Sequence, residues 1–237
     1  MDHVEVEGLR IAYERAGSGP ALVLLHGFVG DGRSTWSTQL DELSEDFTVI
    51  AWDAPGAGGS PEPPEWFRSP DYADCLARFV GALHLTRPSV VGLSFGGILA
   101  LELFGRHPHV PGSLVLASAY AGWAGYLQPD GAEERLRFCL RVAELPPRQF
   151  VDEMLPSMFF DPAAEGVSAF AESIRGFNPA GFRTMARALA EADLRDVLGR
   201  IDLPTLLLYG ERDVRAPVAV GKALRDFLLP TRPPLLT

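Results

Sequence analysis

The stretch 88–106, PSVVGLSFGGILALELFGR, leaves this chain few folds to choose from. Residues 89–93 are a short, apolar, β-branched run, the pattern of a strand covered on both faces. Residues 98–104 are apolar nearly all round, interrupted only by Glu102, which predicts a helix packed inside a core. Between them lies Gly92-Leu93-Ser94-Phe95-Gly96, a G-x-S-x-G pentapeptide. A serine in so sharp a strand-to-helix turn takes a strained backbone with φ > 0, and the flanking positions must be glycine because side chains there would clash. The serine also falls at a helix N-terminus, where free N–H groups and the helix dipole favour negative charge. The pentapeptide alone is a weak signal. A strand immediately before it and a helix immediately after make it specific.

The rest of the chain repeats the strand–helix alternation. Residues 3–7 and 9–15 alternate in polarity around Gly8 and predict an antiparallel hairpin. Residues 21–25 are a continuous apolar run ending in His26-Gly27-Phe28, and 36–43 predict a helix. Residues 47–51 form the next buried strand. The loop 53–60 after it is glycine-rich but lacks the Gly-Lys-Ser/Thr ending of a phosphate loop, so nucleotide binding is rejected and Asp53 is read as a turn-former. Ser69-Pro70-Asp71 signals a helix start with a capping serine, and Tyr72, Leu76, Phe79 and Leu83 follow at helical spacing. Residues 114–117 are another buried strand. This order predicts an α/β fold with a mostly parallel sheet and helices on both faces.

From residue 121 the pattern changes. Helical segments run without intervening strands to about residue 195, punctuated by Pro129, Pro146, Pro147, Pro156, Pro162 and Pro179. The expected organisation is a core of residues 1–120 and 196–237 with a helical cap of residues 121–195 inserted into it. Large apolar residues of the cap run from Trp123 to Met185. Most are expected to pack the cap onto the core, and about a third to line an apolar pocket. Strand 204–209 and helix 217–228 close the predicted pattern.

A net charge of −10 argues against nucleic acid or an anionic membrane surface as partner. The opening residues are charged and alternating, unlike a signal peptide, and no apolar run reaches the length of a membrane span. Cys75 and Cys139 are far apart and fit no metal spacing, so two reduced thiols in a cytoplasmic protein are expected. The expected partner is a small-molecule substrate, with no cofactor and no metal.

Taken together, HGF at 26–28, D-x-P-G-x-G-x-S from Asp53, GLSFGG from Gly92 and LPTLLLYGERD from Leu203 resemble the α/β-hydrolase superfamily, in its capped esterase-like branch. The resemblance implies that Ser94 is the nucleophile and Asp213 the acid that orients a catalytic histidine. It implies an oxyanion hole from the backbone N–H groups of Phe28 and Phe95, and gives His26 and Gly27 a role in shaping the loop. The implied activity is cleavage of a carboxylic ester, thioester or lactone of a small apolar acid. A C–C bond hydrolase, a cofactor-free haloperoxidase and a non-catalytic ligand-binding protein are alternatives on the same scaffold.

One departure stands out. The family places its catalytic histidine after a further strand, whereas here the chain ends 24 residues beyond Asp213, in a tail with Pro230, Pro233 and Pro234 and no histidine. The final strand, the histidine loop and the closing helix are therefore expected to be missing, through natural loss, a frameshift or truncation. Strand 205–209, uncharged and without an internal proline, would then be an edge. It is expected to be covered by the tail, to pair with a second chain as a homodimer, or to lower solubility.

Overall fold

The structure, a computed structural model, describes residues 1–161, 163–164, 166–228 and 234–237. Pro162 and the tail segment 229–233, both used above, lie outside the described residues. Strands β1 (Asp2–Val6) and β2 (Leu9–Ala16) form the predicted antiparallel hairpin. Its two-residue turn, Glu7-Gly8, has φ of 49° and 81°, the left-handed pair that matches strand twist. There follow β3 (Ala21–Leu25), α1 (Gly32–Glu42), β4 (Thr48–Trp52), α2 (Ser69–Ala82), β5 (Ser89–Leu93), α3 (Phe95–Arg106) and β6 (Ser113–Ala117). Between β6 and the next strand run α4 (Pro129–Val142), α5 (Pro147–Met154), α6 (Val167–Ile174), α7 (Pro179–Glu191) and the short α8 (Arg195–Leu198). The chain then adds β7 (Thr205–Leu208), α9 (Val218–Phe227) and β8 (Leu235–Leu236).

The sheet runs β1-β2-β4-β3-β5-β6-β7-β8. β1, β2 and β4 are joined antiparallel, and every later pairing is parallel. Period-2 alternation explains why the central strands read as unbroken apolar runs. Val23, Leu25, Ile50 and Trp52 enter the main core, while Leu22, Leu24, Val49 and Ala51 turn the other way and pack with Trp36 and Leu40 of α1. Both faces are covered, so both sets of side chains must be apolar.

Two helix starts differ from expectation. α1 begins four residues before the predicted 36, because Asp31 caps it by accepting from the Ser34 N–H at 2.7 Å. Its first turn, Gly32-Arg33-Ser34, has no apolar residue to announce it. In α2, Arg68 is the cap position, and its N–H donates to the Asp71 carboxylate at 2.8 Å. Ser69 is therefore inside the helix, not the cap. Its hydroxyl donates to buried Glu102 at 2.9 Å, which supplies a partner for the one polar residue of the α3 core face. Burial still pushes the Glu102 carboxyl up.

α2 and α3 are also clamped at the surface. Arg106 donates to both oxygens of Asp74, at 2.8 and 2.7 Å, and His107 Nε2 lies 2.7 Å from one of them. The Arg106 hydrogen bond, helped by His107, holds the Asp74 carboxyl at about 2. A depressed carboxyl stabilises the fold fully above its unfolded value near 4 and loses that contribution as pH falls toward 2. Allowing for partial exposure, Asp74→Asn is expected to cost about 1–2 kcal/mol at pH 7. Urea denaturation at stepped pH should show the gap from wild type closing between pH 4 and 2.

The expectation of a missing final strand is corrected. Leu235 and Leu236 pair in parallel with Leu207 and Leu208, and the N–H groups of Leu207 and Tyr209 donate to Pro234 and Leu236 carbonyls at 3.0 and 2.9 Å. The prolines do not forbid this. A strand at the sheet margin needs no outward donor, and Pro234 contributes only its carbonyl. Thr237 follows β8 directly. β7 is thus covered by the tail, the first of the three outcomes expected for it, and the bare edge invoked for a 205–209 homodimer is occupied at Leu207 and Leu208. Deleting residues 234–237 should uncover an apolar, uncharged strand and cause self-association. Sedimentation velocity of the shortened and full chains checks this, and equal monomer content in both would refute it.

Candidate active site

Ser94 sits where β5 ends and α3 begins, with φ 51° and ψ −106°. This is the positive φ that the glycine spacing predicts. Its N–H donates to the Ala117 carbonyl at 2.8 Å, tying the turn to the end of β6. Its carbonyl accepts from Gly97 and Ile98 N–H groups at 3.0 and 3.2 Å, which starts α3. The flanking glycines themselves have ordinary φ; what they need is room. A Cβ on Gly92 would stand 2.3 Å from the Gly96 carbonyl oxygen, and one on Gly96 would stand 2.2 Å from that of Leu25. Helix α3 therefore starts in backbone contact with the end of β3.

Phe95 is the first residue of α3, so its N–H has no partner within the helix. Its ring is fully buried against Tyr72. Phe28, in the loop after β3, stacks on Phe182 of α7 at 5.1 Å and meets Trp123 edge-on at 6.3 Å. It thereby joins the core loop to the helices above. Gly27, Phe28 and Ser94 all line one cavity of about 680 Å³. Trp123, Met158, Phe159 and Phe170 form its apolar wall, while Phe150, Phe177 and Phe182 pack on one another.

Asp213, in the loop between β7 and α9, lines the same cavity. One oxygen accepts from the N–H groups of Arg215 and Ala216, both at 2.8 Å, and the other from the Ser118 hydroxyl at 2.7 Å. The carboxylate is thus fixed by its own loop and by the end of β6. It is not the cap of α9, whose cap position is Pro217.

His26 is 1% exposed and both ring nitrogens are engaged. Nε2 accepts from the Ala54 N–H at 3.0 Å, which leaves the proton on Nδ1 facing the Gly27 carbonyl. Its work is to join the loops after β3 and β4. Asp53 does the same with its carboxylate, accepting from Gly32 and Gly59 N–H groups at 2.8 Å each. Burial raises its pKa despite those donors. The other histidines are elsewhere: His3 on β1, His84 exposed beyond α2, His107 on Asp74 and His109 beside it. Among the described residues no histidine lines the cavity. Cys75 and Cys139 are free and buried, and burial pushes their thiols up to about 12 and about 11. Among the described residues no group of three His, Cys, Asp or Glu could hold a metal ion, and no helix is long and apolar enough to cross a membrane.

Sequence reasoning missed Ser118, Arg135 and Arg215, which all line the cavity. Ser118 did carry a signal, since it directly follows a parallel strand beside β5, where such sheets place ligands. It is also strained, with φ 47°.

Comparison with known proteins agrees with this fold. A family profile described as alpha/beta hydrolase fold matches residues 20–232. The uncharacterized protein Rv2715 of Mycobacterium tuberculosis is 34% identical over 141 residues, covering 60% of this chain and 38% of its own length. The chain thus matches well under half the length of that relative. The pimeloyl-[acyl-carrier protein] methyl ester esterase of Chromobacterium violaceum is 30% identical over 232 residues, 93% of this chain and 86% of that protein. An esterase from Exiguobacterium antarcticum superposes with a TM-score of 0.89 at 23% identity, covering 100% of this chain and 90% of that one.

Proposed function

The chain belongs to the α/β-hydrolase fold family, and from that premise we propose that it carries a serine hydrolase site for a carboxylic ester, thioester or lactone. The observation that carries this reading is Ser94, strained at φ 51° on the wall of a cavity it shares with Asp213. Ser94 Oγ attacks the carbonyl, and the oxyanion forms against the N–H groups of Phe28 and Phe95. Each such donor typically contributes about 3–4 kcal/mol to the transition state. Collapse of that intermediate breaks the scissile C–O or C–S bond and expels the alcohol or thiol, and water then hydrolyses the acyl-Ser94 ester to the free acid and free serine. The apolar wall of Trp123, Met158, Phe159 and Phe170 favours the carbon chain of a small acyl group. That the Chromobacterium violaceum relative is named an esterase supports an ester as the target. The reading places the protein in the cytoplasm, in keeping with two unpaired thiols.

Asp213 would orient an imidazole between itself and Ser94. With no described histidine on the cavity wall, this chain brings two members of such a triad to the site. That observation favours a second reading, a ligand-binding protein on the same scaffold whose turnover is lost.

An activated aryl ester and the Ser94→Ala variant separate the two. Hydrolysis above background, with an acyl adduct on the Ser94 peptide and both signals absent from Ser94→Ala, supports the hydrolase. Saturable ligand-induced stabilisation with no Ser94-dependent turnover supports the binding protein.

A further inference from the structure

The cavity beside Ser94 carries two cations that nothing in the catalytic reading uses. Arg135 projects from α4, and Arg215 from the loop that holds Asp213. Both are half-buried. Among the described residues, no carboxylate lies within ion-pair distance of either guanidinium. Yet the chain has 31 acidic against 21 basic side chains. On α4 itself, Arg137 pairs with Glu133 at 3.7 Å and Arg141 with Glu153 at 3.6 Å. The unpaired arginine of this stretch is the one that faces the cavity.

Among the described residues, the other charged side chains on the cavity wall are already committed. Asp31 caps α1, and Arg33 is largely exposed and 3.6 Å from Glu14. Asp213 accepts from Ser118 and from two backbone N–H groups. What remains is an excess of positive charge in a partly desolvated space. Burial lowers the Arg215 pKa and the Arg135 charge acts in the same direction, together outweighing the opposing charge of Asp213. Two half-buried like charges cost free energy unless an anion joins them.

Both guanidiniums are positioned to receive one. Arg215 lies over the Phe28 ring at 5.7 Å and donates to Ser157 Oγ at 2.7 Å. Arg135 lies 5.8 Å from the centres of both the Tyr120 and Trp123 rings, and its side chain also hydrogen-bonds the Tyr120 hydroxyl. A guanidinium resting on ring faces loses rotamer freedom but keeps N–H edges for a ligand. Planar N–H edges match a carboxylate better than any neutral group.

We infer that this cavity takes substrates bearing a carboxylate, held by Arg135 and Arg215, so that the bond presented to Ser94 belongs to the monoester, thioester or lactone of a dicarboxylic acid. The inference rests on the hydrolase reading for the bond cleaved, and on the two arginines alone for the anion bound.

Calorimetric titration of monomethyl glutarate and its neutral counterpart dimethyl glutarate tests it, in the Ser94→Ala chain so that neither is consumed. The monoester is expected to bind about tenfold more tightly. The preference should fall toward parity in Arg215→Met and vanish when Arg135→Met is added, while Arg215→Lys retains part of it. Thermal melting establishes that each variant is folded. Equal binding of the two esters to the parent chain overturns the proposal whatever the variants do, and so does a preference that survives loss of both arginines. A retained preference without Ser94-dependent turnover would sink the hydrolase reading and leave the anion site standing.

Discussion

Chain 1–237 should hydrolyse an activated aryl ester about 10⁴- to 10⁶-fold more slowly than a complete Ser-His-Asp site. The rate should show little of the rise through neutral pH that a titrating imidazole gives. Ser94 Oγ is a weak nucleophile until a base takes its proton, and the same base must return a proton to the leaving group. His26 is at the correct end of the sheet, but its Nε2 already accepts from Ala54 and its Nδ1 faces the Gly27 carbonyl. Freeing it would leave a buried backbone N–H without a partner. Oxyanion donors and binding alone leave about 10³–10⁴ over water, so slow Ser94-dependent turnover should persist. The pH–rate profile of this chain, beside that of His26→Ala, decides the matter. Fast hydrolysis with an apparent pKa of roughly 6 to 7, abolished in His26→Ala, would make His26 the base and overturn the prediction.

The parts legible in the sequence are those fixed by local rules. Strand runs such as residues 21–25 could not be misread, because a two-faced parallel strand requires apolar residues at every position. Ser94 was legible because three constraints coincide within five residues: strain at the serine, backbone contact at Gly92, and backbone contact at Gly96. Asp213 was legible only through family resemblance, since nothing local separates it from any loop aspartate. The start of α1 was hidden because a polar first turn capped by Asp31 has no periodicity to read. The tail was misjudged for another reason. Three prolines do exclude a central strand, but at the sheet margin Pro234 need offer only its carbonyl, to the Leu207 N–H, while the Tyr209 N–H just past β7 takes the Leu236 carbonyl. Arg135 and Arg215 are 80 positions apart and reach one cavity only because the helices between β6 and β7 fold back over the sheet. No spacing rule brings such a pair together.

Gly96→Ala should be among the most damaging single substitutions in the chain, although helix propensity argues the reverse. Gly96 lies within α3, where replacing glycine by alanine ordinarily stabilises by about 1 kcal/mol. Its φ is unexceptional, so alanine suffers no backbone strain. The obstacle is contact alone. The new methyl would stand 2.2 Å from the Leu25 carbonyl oxygen, 2.7 Å from its carbon and 2.8 Å from the His26 carbonyl oxygen. All three are backbone atoms at the end of β3, pinned by parallel pairing to β4 and β5. No side chain can swing away. Either α3 withdraws from the sheet, taking Ser94 with it, or β3 is displaced and the Phe28 loop moves. A loss of more than about 4 kcal/mol is expected, at the extreme of single-substitution effects. Gly8→Ala is the control with the opposite balance. Its φ of 81° strains an alanine, but nothing lies within 4 Å of the added methyl, so a loss of only about 1 kcal/mol is expected. Urea denaturation of both variants compares steric contact with backbone strain on one scaffold. A Gly96→Ala chain as stable as Gly8→Ala would mean that α3 is not seated on β3, and that Ser94 is not held where the proposed chemistry needs it.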